Sequence, residues 1–300
     1  MEPAVELIDA HKRYGSVEAL KGVNIAVKPG ELVAVLGPNG AGKTTSINLM
    51  LGLRQPTTGK TRLFGLDPTD RRARSRCGVM LQESGVPDTL TVRELVELFG
   101  SYYPHPMPAG RAIGLAGLEE QARQQSGKLS GGQRQRLYFA LAVCGDPELI
   151  FFDEPTVGMD VESRRAFLSS IREFGREGKT IVLTTHYLEE ADELAERVIV
   201  IDRGVVIADA SPAEIKSRVV GKRVSFTSPR PLTEADLRGL PYSRLQVDGG
   251  RVRLFSSAPE VVLRDLFRRD LEISDLEVTG ADLEEAFLAI THAAEKETVA

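Results

Sequence analysis

Cysteine is scarce in this 300-residue chain: there are two, Cys77 and Cys144, far apart in sequence. That excludes a disulfide framework and a CxxC metal site, and it fits a reducing compartment. Long hydrophobic runs are missing as well. No apolar stretch approaches the ~20 residues needed to cross a bilayer. The opening MEPAVELIDAHKRYG lacks the basic start and apolar centre of a signal peptide. The expected location is therefore the cytoplasm, with membrane contact only through a partner. A basic excess is missing too: 38 Lys and Arg face 43 Asp and Glu, a net of −5, which argues against nucleic acid as a partner. What is present, 42% hydrophobic and 27% charged residues, describes a globular chain with room for one large or two modest domains.

The pattern along the chain alternates strands and helices. Val5–Ile8 and Val23–Val27 alternate as strands do, and Pro29-Gly30 ends the second. Leu32–Leu36 is a short, wholly apolar run, as expected of a strand buried on both faces. A Gly-rich loop follows, and then Ile47, Leu49, Met50 and Leu53 fall at helical spacing over Thr45–Leu53. Residues 83–136 read as mostly helical, with a capping-box pattern at Thr91 and Glu94. Strand-like runs return at Leu149–Phe152, Thr180–Thr184 and Val198–Ile201. Such alternation implies a parallel sheet with helices on its faces. After Gly221 the texture becomes β-α-β-β-α-β, the order of a ferredoxin-like unit. Its first helix is expected over Thr233–Leu240 and a hairpin around Asp248-Gly249-Gly250. A last helix is expected over Asp282–His292. The domains expected are 1–218 and 219–300.

Three segments carry chemistry. Gly37-Pro38-Asn39-Gly40-Ala41-Gly42-Lys43-Thr44 fits G-x-x-x-x-G-K-[ST] between a buried strand and a helix. Its glycines allow backbone N–H groups to close on phosphate oxygens, and the helix N-terminus adds positive potential. Lys43 is expected on the β- and γ-phosphates and the Thr44 hydroxyl on Mg²⁺. Glu148–Glu154 is an apolar strand ending in two carboxylates. Asp153 is expected to hold Mg²⁺ through water and Glu154 to polarise the attacking water. The third segment is Leu129-Ser130-Gly131-Gly132-Gln133. Five fixed letters arise by chance in well under about one chain in a thousand at average composition.

With phosphate-site motifs on either side, that segment resembles the LSGGQ motif of the ABC ATPases. The resemblance runs from residue 4 to about 218 through Tyr14, Gln82, Asp153-Glu154, Met159-Asp160 and His186. It implies an α/β P-loop NTPase core of ABC type, with an N-terminal antiparallel β subdomain and a helical insertion at 83–136. A small α+β C-terminal domain follows. Tyr14 would stack on adenine, and the nucleotide would lie along Gly37, Pro38, Asn39, Gly40, Ala41, Gly42, Lys43, Thr44 and Thr45. Gln82 would contact Mg²⁺ together with Thr44 and Asp153, and His186 would contact the γ-phosphate. Ser130, Gly131, Gly132, Gln133 and Asp160 would act in trans, on a nucleotide held by a second copy of the chain. Val157-Gly158-Met159 departs from commoner forms of its loop.

The implied cofactors are ATP and Mg²⁺, and the implied partners are a second copy and an integral membrane permease. Ala281–Thr291 is similar to the C-terminal segment of drug-exporter-type subunits, those serving ABC-2 permeases, and His186–Ala191 is similar to the same subgroup. The expectation is an ATPase subunit powering export; the alternative is a soluble ABC ATPase without a transport role. Glu189, Glu190, Asp192, Glu193 and Glu196 read as a solvated helix face.

Overall fold

The computed structural model describes residues 2–81, 85–218, 221–230, 232–269 and 271–299, with the side chains of the last helix as far as 293. The chain divides into two compact units, Met1–Pro212 and Ala213–Ala300.

The first unit opens with β1 (Val5–Tyr14) and β2 (Val17–Val27). Both run beyond the apolar cores legible in the sequence, because bulges interrupt their alternation between Leu7 and Arg13. Asp9, at φ 45°, makes one of these irregularities, and its N–H donates to Asn24 Oδ1 at 2.9 Å. Next come β3 (Leu32–Leu36), α1 (Lys43–Met50), β4 (Thr58–Leu63), α2 (Arg71–Arg74) and β5 (Cys77–Met80). The strands β2, β1 and β4 form an antiparallel sheet in that order.

The helical segment holds α3 (Val92–Gly100), α4 (Ala109–Leu115) and α5 (Gly131–Val143). The capping box expected at Thr91 is formed: its hydroxyl accepts from the Glu94 N–H, and the Glu94 carboxylate accepts from the Thr91 N–H. Then follow β6 (Leu149–Asp153), α6 (Val161–Arg176), β7 (Thr180–Thr184), α7 (Leu188–Leu194), β8 (Arg197–Asp202) and β9 (Val205–Ala210), and α8 (Pro212–Ser217) begins at the last residue of this unit.

A six-stranded sheet orders β5-β6-β7-β3-β8-β9, with neighbours parallel except the β8–β9 pair. Every residue of β3, β6 and β7 is buried, as the continuous apolar runs require of strands covered on both faces. Because these three strands are parallel, their C-terminal ends emerge on one edge, and Thr184 pairs in register with both Asp153 and Val35. The crevice beyond such strand ends is where open α/β sheets take ligands. The aromatic rings of Phe139 on α5, Phe152 on β6, and Phe167 and Phe174 on α6 interlock at 5.1–6.0 Å between centroids. That cluster fixes α5 against the strand ending in Asp153.

The second unit contains β10 (Lys222–Thr227), β11 (Arg244–Asp248), β12 (Arg251–Ser256), α9 (Pro259–Arg268), β13 (Ser274–Gly280) and α10 (Leu283–Val299). Its sheet orders β11-β12-β10-β13 with all neighbours antiparallel, the arrangement of a ferredoxin-like sheet. The hairpin turns at Gly249-Gly250, with Gly249 at φ 57°. One expectation fails. Thr233–Leu240 is no α-helix but a series of turns in which N–H groups reach three residues back, Asp236 to Thr233 and Leu240 to Leu237 among them. The Asp236 carboxylate accepts from the Thr233 N–H at 2.8 Å and starts the first turn. Gly239, at φ 86°, and Pro241 stop it within two turns. Val224, Phe226, Leu237, Val252, Leu254, Val262 and Leu266 form this unit's own core.

Candidate nucleotide site

The loop after β3 is shaped by what cannot fit beside it. A Cβ on Gly37 would lie 2.2 Å from the Ile201 carbonyl oxygen. Gly42 adopts φ 115°, and a Cβ there would lie 2.7 Å from Leu20 Cδ2 and 2.9 Å from the Ala19 carbonyl. Only glycine meets both demands. Gly42 is the N-cap of α1 and offers no side chain to the first helical N–H groups, which stay available to an anion. The helix starts at Lys43, two residues before the apolar pattern first shows it. Lys43 is 6% exposed. Its Nζ donates to the Gly37 carbonyl at 2.7 Å and to the Pro38 carbonyl at 3.3 Å. Burial lowers its pKa, while the negative charges of Glu154 and Asp153 raise it.

Asp153 ends β6 and is 2% exposed. It accepts hydrogen bonds from the hydroxyls of Thr184 and Thr44. Burial pushes its pKa up, against those hydrogen bonds and the Lys43 charge. Glu154 follows at φ 50°, a left-handed conformation uncommon for a residue with a Cβ. Its N–H donates to the Thr184 carbonyl at 3.1 Å and to Thr184 Oγ1 at 3.0 Å. The turn so held brings the Glu154 side chain to the cavity beside the phosphate loop, while the Asp153 carboxylate stays buried against Thr44 and Thr184. His186 Nδ1 lies 3.5 Å from Glu154 Oε2.

These groups bound a cavity of about 510 Å³, lined by Ala19, the loop from Asn39 to Thr45, Glu154 and His186. The structure thus brings together the phosphate-loop residues and both candidate catalytic side chains. Tyr14 is 44% exposed under Lys12 Nζ, 5.1 Å from its ring centre, and is not part of that lining. Gln82 lies outside the described residues.

Ser130, Gly131, Gly132, Gln133 and Asp160 do not line the cavity either. Ser130 caps α5 in a capping box with Gln133: each backbone N–H donates to the other's side chain, at 2.9 and 3.3 Å. Asp160 caps α6 and accepts from the Ser163 N–H and hydroxyl, both at 2.8 Å. Arg136 on α5 donates to Ser163 Oγ at 3.1 Å, and a Cβ on Gly132 would lie 3.9 Å from Asp160 Oδ2, so the two helix starts lie side by side with Ser130 and Asp160 exposed.

Glu190 overturns an expectation. It is 3% exposed, not part of a solvated face, although Glu189, Glu193 and Glu196 of that face are exposed. Two buried hydroxyls replace its water, Thr185 from the loop just before α7 and Thr156 from a loop 34 residues away in sequence. Nothing in the spacing of the acidic residues signals this. The only hint lies in the two threonines placed beside Glu154 and His186.

The model of a family described as ABC transporter matches residues 20–157. The chain is 35% identical over 300 residues to the Nod factor export ATP-binding protein I of Paraburkholderia xenovorans (strain LB400), covering 97% of each. It is also 35% identical over 311 residues to a daunorubicin resistance ATP-binding protein of Streptomyces coeruleorubidus, covering 97% of this chain and 96% of the relative. A dimeric bacterial ABC transporter cassette superposes with a TM-score of 0.64 at 30% identity, over 69% of this chain and 98% of that one. A post-hydrolysis dimer of an ATP-binding cassette with ADP and Pi superposes with a TM-score of 0.63 at 29% identity, over 69% and 98%.

Proposed function

The chain belongs to the ATP-binding subunits of ABC transporters, and on that premise we propose that it hydrolyses ATP to drive export through a separate membrane permease. The observation that carries the chemistry is the single cavity holding the phosphate loop, Glu154 and His186. The export direction rests on two relatives matched over nearly the whole chain, a Nod factor export protein and a daunorubicin resistance protein. Among the described residues no helix is long and apolar enough to cross a membrane, and the reading assigns the path for cargo to a separate permease. The working place is then the cytoplasmic face of the membrane.

In this reading the N–H groups of the loop Gly37–Thr44 and the Lys43 ammonium bind the phosphates. Thr44 and Asp153 present hard oxygen donors side by side, a set that suits a Mg²⁺ completed by substrate phosphates and water. Bound there, Mg²⁺ would neutralise developing charge on the phosphoryl oxygens; Gln82 belongs to the same proposed set. Glu154 orients and polarises the attacking water, and His186, beside it, faces the γ-phosphate. Tyr14 is the residue assigned to stack on adenine.

Ser130 and Asp160 are exposed and are not among the residues lining the cavity. A second copy arranged head to tail gives them a nucleotide to touch, as the dimeric cassettes suggest. Two sandwiched nucleotides then close the dimer, and hydrolysis opens it. The test is ATPase activity of the full chain, with Glu154→Gln as the inactive control. Wild-type turnover that survives this substitution excludes Glu154 as the base.

A further inference from the structure

We propose that Glu190 is a positioning residue for hydrolysis, one whose carboxylate yokes the loop carrying Glu154 to the loop carrying His186. The proposal rests on the reading of those two residues as the hydrolytic pair. Thr156, two residues after Glu154, donates its hydroxyl to Glu190 Oε1 at 2.6 Å. Thr185, immediately before His186, donates to Glu190 Oε2 at 2.8 Å. Each loop takes one carboxylate oxygen, so the spacing between the loops is set by a rigid, planar group. Both threonines are 1% exposed, which keeps water from competing for either bond.

The local role that an acid in this position ordinarily fills is already taken. Glu190 is the third residue of α7, where a carboxylate usually reaches back to the N-cap N–H. Here the Tyr187 N–H donates to Thr185 Oγ1 at 2.9 Å instead. The carboxylate is left to a partner 34 residues away in sequence. The first turn of α7 supplies favourable potential for the buried charge. Arg164 adds a cation, with its Nε 3.7 Å from Glu190 Oε1 and its guanidinium stacked 4.1 Å over the Tyr187 ring. Tyr187 in turn lies 4.0 Å from the His186 ring. His186 is thereby held from both sides of its loop. An apolar side chain would fill this space without the cost of burying a charge, but it would make no bond to either loop.

Steady-state hydrolysis and equilibrium ATP binding of the full chain test this. Glu190→Ala is expected to lower kcat by about tenfold or more while KM and ATP affinity stay within about twofold, because misplacing the pair affects only the chemical step. Glu190→Gln, whose amide can accept from one threonine and donate to the other, is expected to restore most of the loss. Thr156→Val combined with Glu190→Ala is expected to fall no further than Glu190→Ala alone, since both remove the same link. Amide exchange should speed up together at 156–158 and 185–188 in Glu190→Ala, with 40–46 unchanged. Unaltered kcat in Glu190→Ala overturns the proposal, as do additive losses, absent rescue by Gln, or unaltered exchange in both loops. If Glu190→Ala does not fold, Thr156→Val and Thr185→Val decide, and wild-type kcat in both overturns it. Wild-type turnover in Glu154→Gln is a separate result that removes the hydrolytic pair itself.

Discussion

Lys43 Nζ stands 2.7 Å from the Gly37 carbonyl oxygen, so the cation proposed to bind phosphate is folded back onto its own loop. The backbone carbonyl is a neutral acceptor, whereas a nucleotide phosphate is a charged one and binds an ammonium more strongly. Phosphate can therefore draw Lys43 off the loop with little rearrangement. Lys43→Ala is expected to weaken ATP binding by at least about tenfold and to abolish hydrolysis, since a fixed charge on the phosphate is lost. Calorimetric titration with ATP and an assay of phosphate release measure the two effects. Hydrolysis within a few-fold of the parent chain excludes Lys43 from the site.

Asp153 makes a prediction about pH. Burial lifts its pKa above the usual 3.8, and the hydrogen bonds from Thr184 and Thr44 offset this only in part. The folded chain therefore holds this proton to higher pH than the unfolded chain does. Across the window from 3.8 up to the raised value, the folded state binds more protons, so this group's effect on stability becomes unfavourable as pH rises. Asp153→Asn removes that cost. Without nucleotide, the variant is expected to melt above the parent at about pH 7, the difference vanishing as pH falls through the window, while hydrolysis is lost. A variant that melts lower at neutral pH contradicts the burial argument.

The second unit has its own core around Val224, Phe226 and Leu254, and none of the residues lining the nucleotide cavity belongs to it. A chain ending at Pro212 should therefore fold and bind ATP with affinity within about threefold of the full chain. Thermal melting and nucleotide titration on the same sample check both halves of the statement. Lost binding in a chain that still melts cooperatively would give the second unit a part in the site.

What the sequence made legible was set by the range of the interactions involved. Leu32–Leu36, Leu149–Phe152 and Thr180–Thr184 are apolar throughout because both faces of each strand are buried, and all three are strands. Their parallel pairing then places Lys43, Asp153, Glu154 and His186 at one edge, as the motifs require. Thr233–Leu240 carries helical spacing but lies between an Asp236-capped turn and Gly239-Pro241, too short a stretch to sustain an α-helix. Glu190 was illegible for another reason. Its partner Thr156 becomes a neighbour only when β6 and β7 align side by side. Periodicity along α7 identifies an acidic helix but not which acid turns inward.

The exposed patch of Ser130 and Asp160 gives the most demanding test, because one chain alone cannot use it. Arg136 ties α5 to the cap of α6 through Ser163, so Ser130 and Asp160 would meet a partner's nucleotide from adjoining helix starts. Glu154→Gln keeps the shape of the side chain beside the attacking water but removes its charge, and is expected to slow turnover by roughly 10²-fold or more with ATP affinity kept. On the proposed reading the substitution also removes a negative charge that would face the γ-phosphate, so an ATP-bound dimer should accumulate. Ser130→Arg introduces a bulky side chain where the partner's phosphate would sit, and added to Glu154→Gln it should block that accumulation. Size-exclusion chromatography with and without ATP separates the outcomes. A single variant that stays monomeric at saturating ATP means that the permease is needed to hold the halves together. A double variant that dimerises as well as the single one rules out a nucleotide shared between Lys43 of one copy and Ser130 of the other.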